Sequence, residues 1–334
     1  MKSAVRFCAS VGFLILLCIF IIHMTDDALL EPLPTFEPAM NGSGKVPLFI
    51  PKIIHQTYSS EAAVPRVYAD CIRSCLRANP DWRYMFWSDK DARNFIRDKY
   101  PTYLGLFDKY DNKLLKADAM RYFVLDFYGG LYMDMDMQCL RPIKTFLAEK
   151  RLVLVPEPHV QSFLLHKNFS IVTNAIMASE PSHPFLRYVI DHLQHFQRHT
   201  SINNAIYVTG PNMLQKVLED YQSRIPCLES RCKVFVADPT EMMPTVDPYW
   251  LRLMKKFTKD CMTKTNFVTF VEFKTCIWVQ LKNYNPLLTN KSYTNHVWKH
   301  IGYKGPISRF FGRKVSIKDI VGTGREIERY VSER

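Results

Sequence analysis

The sequence predicts an α/β fold with a mostly parallel central sheet, on three observations. Strand-like runs, "LFIPKIIHQTY", "WRYMFWSD", "LYMDMDMQCL" and "RLVLVPEP", alternate with segments of helical length and period. Apolar residues make up 47% of the 334 residues and charged residues 23%, a balance that supports a large packed core and excludes a disordered chain. His55, Asp89 and the pair Asp134 and Asp136 fall at the carboxyl ends of such runs, the edge where open α/β sheets bind ligands.

The chain starts outside that domain. Residues 7–24, "FCASVGFLILLCIFIIHM", are 18 residues without Asp, Glu, Lys or Arg. As a helix they would span about 27 Å, close to the thickness of a thin bilayer. A cleaved signal peptide is the rival reading. The run is longer than the usual apolar core of one, and no small-x-small cleavage pattern follows it. An uncleaved single transmembrane helix is therefore expected. Lys2 and Arg6 before it and Asp26 and Asp27 after it set a type II topology, with residues 1–6 cytoplasmic and the rest across the membrane. Residues 25–48 carry Pro32, Pro34, Pro38 and Pro47 with "NGSG", and read as a stem.

The folded domain is expected over residues 49–300. Its first strand ends at His55-Gln56-Thr57. The stretch "VPRVYADCIRSCLRANP" reads as a helix closed by Asn79-Pro80, and "WRYMFWSD" as a second strand ending at Asp89. Two more helices follow, "KDARNFIRDKY" and "NKLLKADAMRYFVLDFYGG", the latter stopped by Gly129-Gly130. Then come the strands "LYMDMDMQCL" and "RLVLVPEP".

Cysteines and sequons point to the secretory pathway. Seven cysteines follow the apolar run. Cys227 and Cys232 bracket a short turn and form the most plausible local disulfide. Cys71 and Cys75 share a helix face, so either can pair elsewhere. Seven is odd, and Cys139 is the expected free thiol. Asn41, Asn168 and Asn290 each begin an Asn-x-Ser sequon. There is no zinc-ligand spacing.

The chemistry centres on "GGLYMDMDMQ", residues 129–138. In one extended strand Tyr132, Asp134, Asp136 and Gln138 share a face, and Leu131, Met133, Met135, Met137 and Cys139 line the other. Two carboxylates on one face, about 7 Å apart, repel each other unless something positive lies between them. A divalent cation answers that cost. Oxygen ligands suit Mg²⁺ or Mn²⁺, which leave positions open for substrate phosphates. Gly129 and Gly130 remove side chains where a bulky ligand approaches. On the preceding helix Asp118 and Arg121 lie three apart in a mostly apolar segment, so a buried Arg with an anionic partner is expected.

The segments "PKIIHQTY", "ADAMRYFVLDFYGGLYMDMDMQCLRPI", "NAIMASEPSHPFLRYVI" and "YVTGPNML" together resemble glycosyltransferase family 32, whose sugar-binding region carries a DXD motif. That family includes mannosyltransferases acting on inositol phosphorylceramide and the yeast initiating outer-chain mannosyltransferase. The likeness runs over roughly residues 49–215. It implies a GT-A-type fold and a retaining transferase using a nucleotide-sugar donor and Mn²⁺ (or Mg²⁺), held in the Golgi or ER membrane with a lumenal catalytic domain. By the same resemblance Asp136 ligates the metal and Asp134 the ribose or metal shell. Asp118 and Arg121 match a pair that contacts ribose or sugar and the diphosphate.

Further candidates are less tied to the motif. "TNHVWKHIG" resembles the His-x-Trp segment of lactosylceramide α-1,4-galactosyltransferases, which places His296 in the metal or diphosphate shell. His55 reads as a structural residue or a wall of the nucleotide pocket, and Asn174 as facing the acceptor. The interval 301–334 reads as a basic tail. Its Phe310 and Phe311, interleaved with Arg309, Arg313, Lys314 and Lys318, suit an anionic membrane surface and favour a lipid acceptor over a soluble glycan.

Other classes fit less well. The residues expected after the acids of an aspartate-nucleophile phosphatase are missing, since Met137-Gln138 stand there. No nucleic-acid motif accompanies the basic isoelectric point of about 9.2. The alternative that survives is a catalytically inactive, membrane-anchored glycan-binding protein on a transferase fold. The intact Asp118, Arg121, Asp134 and Asp136 favour the enzyme. Mannose from GDP-mannose is the first expectation for the transferred sugar, and galactose from UDP-galactose the second.

Overall fold

A seven-stranded mixed sheet organises the protein. In the computed structural model residues 47–199, 204–227, 229–287, 289–299 and 314–332 are described. The expected membrane helix, residues 25–46 of the stem with Asn41, and residues 301–313 of the basic tail, which include Arg309, Phe310, Phe311 and Arg313, lie outside the described residues. Among the described residues no helix is long and apolar enough to cross a membrane.

The strands are β1 (Ile53–Thr57), β2 (Val64–Pro65), β3 (Arg83–Trp87), β4 (Gly130–Met133), β5 (Met137–Cys139), β6 (Leu152–Pro156), β7 (Val172–Ser179), β8 (Phe235–Val236), β9 (Thr294–His296), β10 (Lys314–Val315) and β11 (Ile327–Glu328). The large sheet has the order β11-β3-β1-β4-β7-β6-β8. β11, β3, β1 and β4 pair in parallel, as do β6 and β8, while β7 runs antiparallel to both its neighbours. β4 and β6 therefore point the same way, and Asp134 and Glu157, each just past its strand, emerge at one edge of the sheet.

Strand alternation splits the core into two layers. Tyr84, Phe86, Leu131 and Met133 pack on one side of the sheet with the helix Ala69–Ala78. Met85, Trp87 and Tyr132 pack on the other with the helices Asp89–Lys99, Lys113–Tyr128, Pro184–His199 and Pro211–Arg224. A third cluster joins the helices His159–His166, Leu251–Thr263 and Phe270–Lys282. Asp89 opens its helix and sits 3.6 Å from Lys113.

The helix Lys113–Tyr128 explains its own sequence. Asn112 caps it by accepting the Leu114 N–H, and Gly129 closes it with φ +63°. Residues Ala119 to Asp126 are buried without interruption, because sheet and helices enclose them on all sides. Gly130 then enters β4 with φ +99°, where an added Cβ would lie 2.7 Å from the Ile53 carbonyl oxygen. Gly130→Ala is expected to cost about 2 kcal/mol or more, since both the backbone and the neighbouring strand resist it. A denaturant midpoint unchanged from the parent would contradict that reading.

Three expectations are corrected here. Residues 131–139 are not one strand. The chain leaves β4 at Met133, turns through Asp134–Asp136 with the Met137 N–H donating to the Asp134 carbonyl at 3.0 Å, and resumes as β5 against β9. The turn aims Cys139 at the helix Ala69–Ala78, so Cys139 is not the free thiol: it forms a disulfide with Cys75. Among the described residues the free cysteine is the buried Cys71. Cys227–Cys232 pair as expected, and Cys261–Cys276 form a third bridge. The described part of the C-terminal interval, 314–332, is no loose tail. β10 pairs with β2, β11 extends the main sheet, and Ile317 and Ile320 are buried.

Candidate active site

The segment between β4 and β5 brings the acids to the sheet edge. Asp134 is fixed through its backbone. Its N–H donates to the Ala175 carbonyl at 2.8 Å, and its own carbonyl accepts from Gln56 Nε2 at 3.3 Å. Gln56 is in turn held by the Tyr84 hydroxyl at 2.9 Å. The position of Asp134 is thus set by strands β1, β3, β4 and β7 together.

Arg121 organises one cluster. Its guanidinium lies 3.0 Å from Asp118 and 3.3 Å from Asp134, donates to the Asn174 carbonyl at 2.6 Å, and sits 4.6 Å above the Tyr132 ring. Tyr132 donates its hydroxyl to Asp134 Oδ1 at 2.9 Å. Thr209 donates to Asp118 at 3.3 Å. Burial pushes the Asp118 carboxyl up to about 6 even though Arg121 pulls it down. Burial also raises Asp134 against the pull of Arg121.

Asp136 and His296 form a second pair. His296, on β9, reaches Asp136 Oδ1 with Nε2 at 3.1 Å, and the Lys299 N–H donates to Oδ2 at 2.9 Å. Burial alone would raise the Asp136 carboxyl, but the charge and hydrogen bond of His296 outweigh it and hold Asp136 at about 2. Burial would lower His296, and Asp136 overrides that to raise it. His296 Nδ1 is buried with no hydrogen-bond partner. The Asp136 carboxylate and the imidazole Nε2 that faces it at 3.1 Å offer one oxygen and one nitrogen ligand, a donor set that suits a borderline cation such as Mn²⁺ once that nitrogen is unprotonated. Among the described residues no three His, Cys, Asp or Glu side chains form a ready-made cation cage, so substrate oxygens would complete the shell.

The other candidates fall elsewhere. His55 is fully buried beneath the site, accepting from the Trp87 indole at 3.2 Å through Nδ1 and bonding the Gly129 carbonyl at 2.9 Å through Nε2. Both nitrogens are used, so it offers nothing to a nucleotide, and the structural reading replaces the donor-binding one. Burial holds the ring down at about 4. A depressed pKa means that the unfolded chain protonates first. The contribution of His55 is therefore complete above about pH 6.5 and is lost as pH falls toward 4, by about 3 kcal/mol in all. His55→Gln is expected to flatten the decline of stability over that window, and parallel profiles for parent and variant would contradict it. Asn174 does not face outward either. It is buried, its carbonyl holds Arg121 and its amide donates to the Thr209 carbonyl at 3.5 Å. Of the described sequons, Asn290 is exposed and Asn168 half-buried.

Sequence reasoning passed over Gln56, Tyr132 and Thr209 as site residues. Thr209 stands in the "YVTGPNML" segment, and Tyr132 shares the face assigned to the acids. Tyr58 and Tyr68 meet edge to face at 6.2 Å, and the Tyr68 hydroxyl is raised by burial and by the charge of Asp136. They form an aromatic wall beside the acids that no motif announced.

The comparisons agree with this geometry. Residues 65–153 match the family model of the glycosyltransferase sugar-binding region containing the DXD motif. The mannosyl phosphorylinositol ceramide synthase SUR1 of Saccharomyces cerevisiae is 34% identical over 214 residues, 63% of this chain and 52% of that protein. Inositol phosphoceramide mannosyltransferase 3 of Schizosaccharomyces pombe is 30% identical over 222 residues, 66% of this chain and 58% of its own length. The chain spans about half the length of such curated relatives. An uncharacterised glycosyltransferase of Acanthamoeba polyphaga mimivirus is 30% identical over 53% of this chain and 68% of its own. With the motif acids, their helix partners and these relatives in agreement, the chain belongs to the glycosyltransferase family defined by the DXD-containing sugar-binding region.

Proposed function

We propose that the chain is a retaining, metal-dependent glycosyltransferase that moves a hexose from a nucleotide sugar to a membrane glycolipid or glycan. Mannose from GDP-mannose onto a sphingolipid is the leading case, and galactose from UDP-galactose the second. The observation that carries the reading is the juxtaposition, at one sheet edge, of the Asp118–Arg121–Asp134 cluster and the Asp136–His296 pair. The names of the yeast relatives support the choice of sugar and acceptor.

Asp136 and His296 are the residues that would hold Mn²⁺ or Mg²⁺, with substrate oxygens completing the shell. A divalent ion there supplies Lewis-acid stabilisation of the departing nucleotide diphosphate. Arg121 acts through the acids it holds, because its donors go to Ala117, Asn174, Asp118 and Asp134. It keeps Asp134 oriented toward the donor and offsets the two buried carboxylates until substrate arrives. Asp118, raised toward neutrality, is placed to exchange a hydrogen bond with a ribose or sugar hydroxyl.

The proposal extends to a Golgi or ER location with the domain lumenal. Three disulfides among the described residues support an oxidising compartment. The test is transfer by the full chain, with Mn²⁺, from radiolabelled GDP-mannose or UDP-galactose to inositol phosphorylceramide. A labelled lipid product with one donor is expected. Neither transfer nor donor hydrolysis by folded protein would move the reading to a glycan-binding protein.

A further inference from the structure

A surface unrelated to the sequence motifs stands beside the site. Tyr249 is 80% exposed, Leu253 45% and Trp250 38%, all at the start of the helix Leu251–Thr263. Large apolar side chains this exposed, side by side, call for an occupant. The same helix carries four basic residues and a single acid, Asp260. Arg252, Lys255 and Lys259 follow the spacing that lines up one exposed face. Tyr and Trp with Lys and Arg at their flank is the composition of a water–bilayer boundary, where amphipathic rings sit at headgroup depth and cations meet anionic headgroups.

The segment before it leads to the acids. The Thr245 hydroxyl donates to the His296 carbonyl at 3.2 Å, and the Trp298 indole donates to the Thr245 carbonyl at 3.2 Å. Asp247 then caps the turn, its N–H held by Gln161 Oε1 at 2.9 Å and its carboxylate accepting the Tyr249 N–H at 2.9 Å. Trp250 is five residue steps from Thr245, a reach of at most about 18 Å even if fully extended. The hairpin behind is stiffened by the Cys261–Cys276 bridge and the buried Met254, Val279 and Tyr284. The exposed corner is thus tied, through Thr245 and Trp298, to the segment that carries His296.

We infer that Tyr249, Trp250 and Leu253, flanked by Arg252, Lys255 and Lys259, dock the domain on an anionic lipid surface and set the mouth of the site at headgroup level. This goes beyond the transferase reading and stands without it, since surface binding needs no catalysis. An acidic protein or a second copy of the chain is the competing occupant, and charge complementarity together with the interfacial ring pair favours lipid.

The test uses the full chain in nanodiscs, with an environment-sensitive fluorophore on Leu253→Cys and, as control, on Leu114→Cys, an exposed position on another helix. Discs contain phosphatidylcholine alone or with phosphatidylinositol, and doxyl-labelled lipid is the quencher. In phosphatidylinositol discs the Leu253 probe is expected to shift to the blue and quench at least threefold more than the Leu114 probe. Reversing Arg252, Lys255 and Lys259 to Glu should abolish that difference. Equal quenching at both positions overturns the proposal. So does a blue shift without doxyl quenching, which would place protein on the surface, and so does insertion indifferent to headgroup charge.

Discussion

Asp136→Ala is expected to lower hexose transfer by about a thousandfold or more while the protein still folds. The carboxylate ionises at about 2, so it is charged throughout the working pH range, and its oxygens meet His296 and the Lys299 N–H. Losing the ion it holds removes stabilisation of the leaving diphosphate worth several kcal/mol. The fold loses less. The turn is kept by backbone bonds from Met137 to Asp134 and from Val297 to Asp136, which the substitution leaves in place. Asp136→Asn sharpens the point. It keeps the shape and one acceptor oxygen but not the charge, and it is expected to fail nearly as badly. Full activity in Asp136→Asn, measured as lipid product formed per minute, would show that charge at this position is not what matters.

Arg121→Met is expected to cost about 3–5 kcal/mol of stability as well as activity, the largest stability effect at the site. Arg121 is the one cation between Asp118 and Asp134 in the cluster, and its side chain is 7% exposed. Removing one partner of a buried ionic group leaves the others uncompensated, which costs far more than the intact group contributes. Methionine keeps most of the volume, so the loss reports charge and hydrogen bonding rather than a cavity. The damage should ease as pH falls toward the range where Asp118, already raised to about 6, takes a proton. The sign follows from the linkage. A carboxyl with a raised folded pKa carries no penalty below its ordinary value, and the penalty on the native state grows as pH rises from there to the raised value, above which it is complete. A midpoint for Arg121→Met that tracks the parent from pH 7 to pH 5 would contradict this account.

Much of the site was legible in the sequence because its residues cluster within one helix–turn–strand block. Asp118, Arg121, Asp134 and Asp136 lie within nineteen residues, periodicity paired the first two on one helix face, the family resemblance joined both pairs in one site, and the structure gathers three of them around the guanidinium. Residues brought in from afar were harder. Thr209 reaches Asp118 across ninety-one positions and Gln56 reaches Asp134 across seventy-eight, and periodicity carries no information on such pairings. The error over residues 131–139 has a definite cause. Alternating "MDMDM" satisfies the strand period as well as it satisfies a turn between two short strands, and only the partner strand β9 decides. That same turn decides the disulfide, because it brings Cys139 to Cys75. His55 was ambiguous for another reason: a histidine at a strand end can face a ligand or the core, and the nearby Trp87 and Gly129 settle it for the core.

The central claim is that Asp136 and its neighbours bind a nucleotide diphosphate through a divalent ion. Thermal unfolding of the purified full chain with GDP or UDP, each with and without Mn²⁺, tests it most directly. A ligand present at about a hundred times its Kd adds about 2.7 kcal/mol to the folded state, enough to move the melting temperature by several degrees. The predicted result is a rise that needs both Mn²⁺ and one of the two nucleotides and is absent in Asp136→Ala. A rise of the same size without Mn²⁺, or one that persists in Asp136→Ala, would contradict the account, as would no rise with either nucleotide.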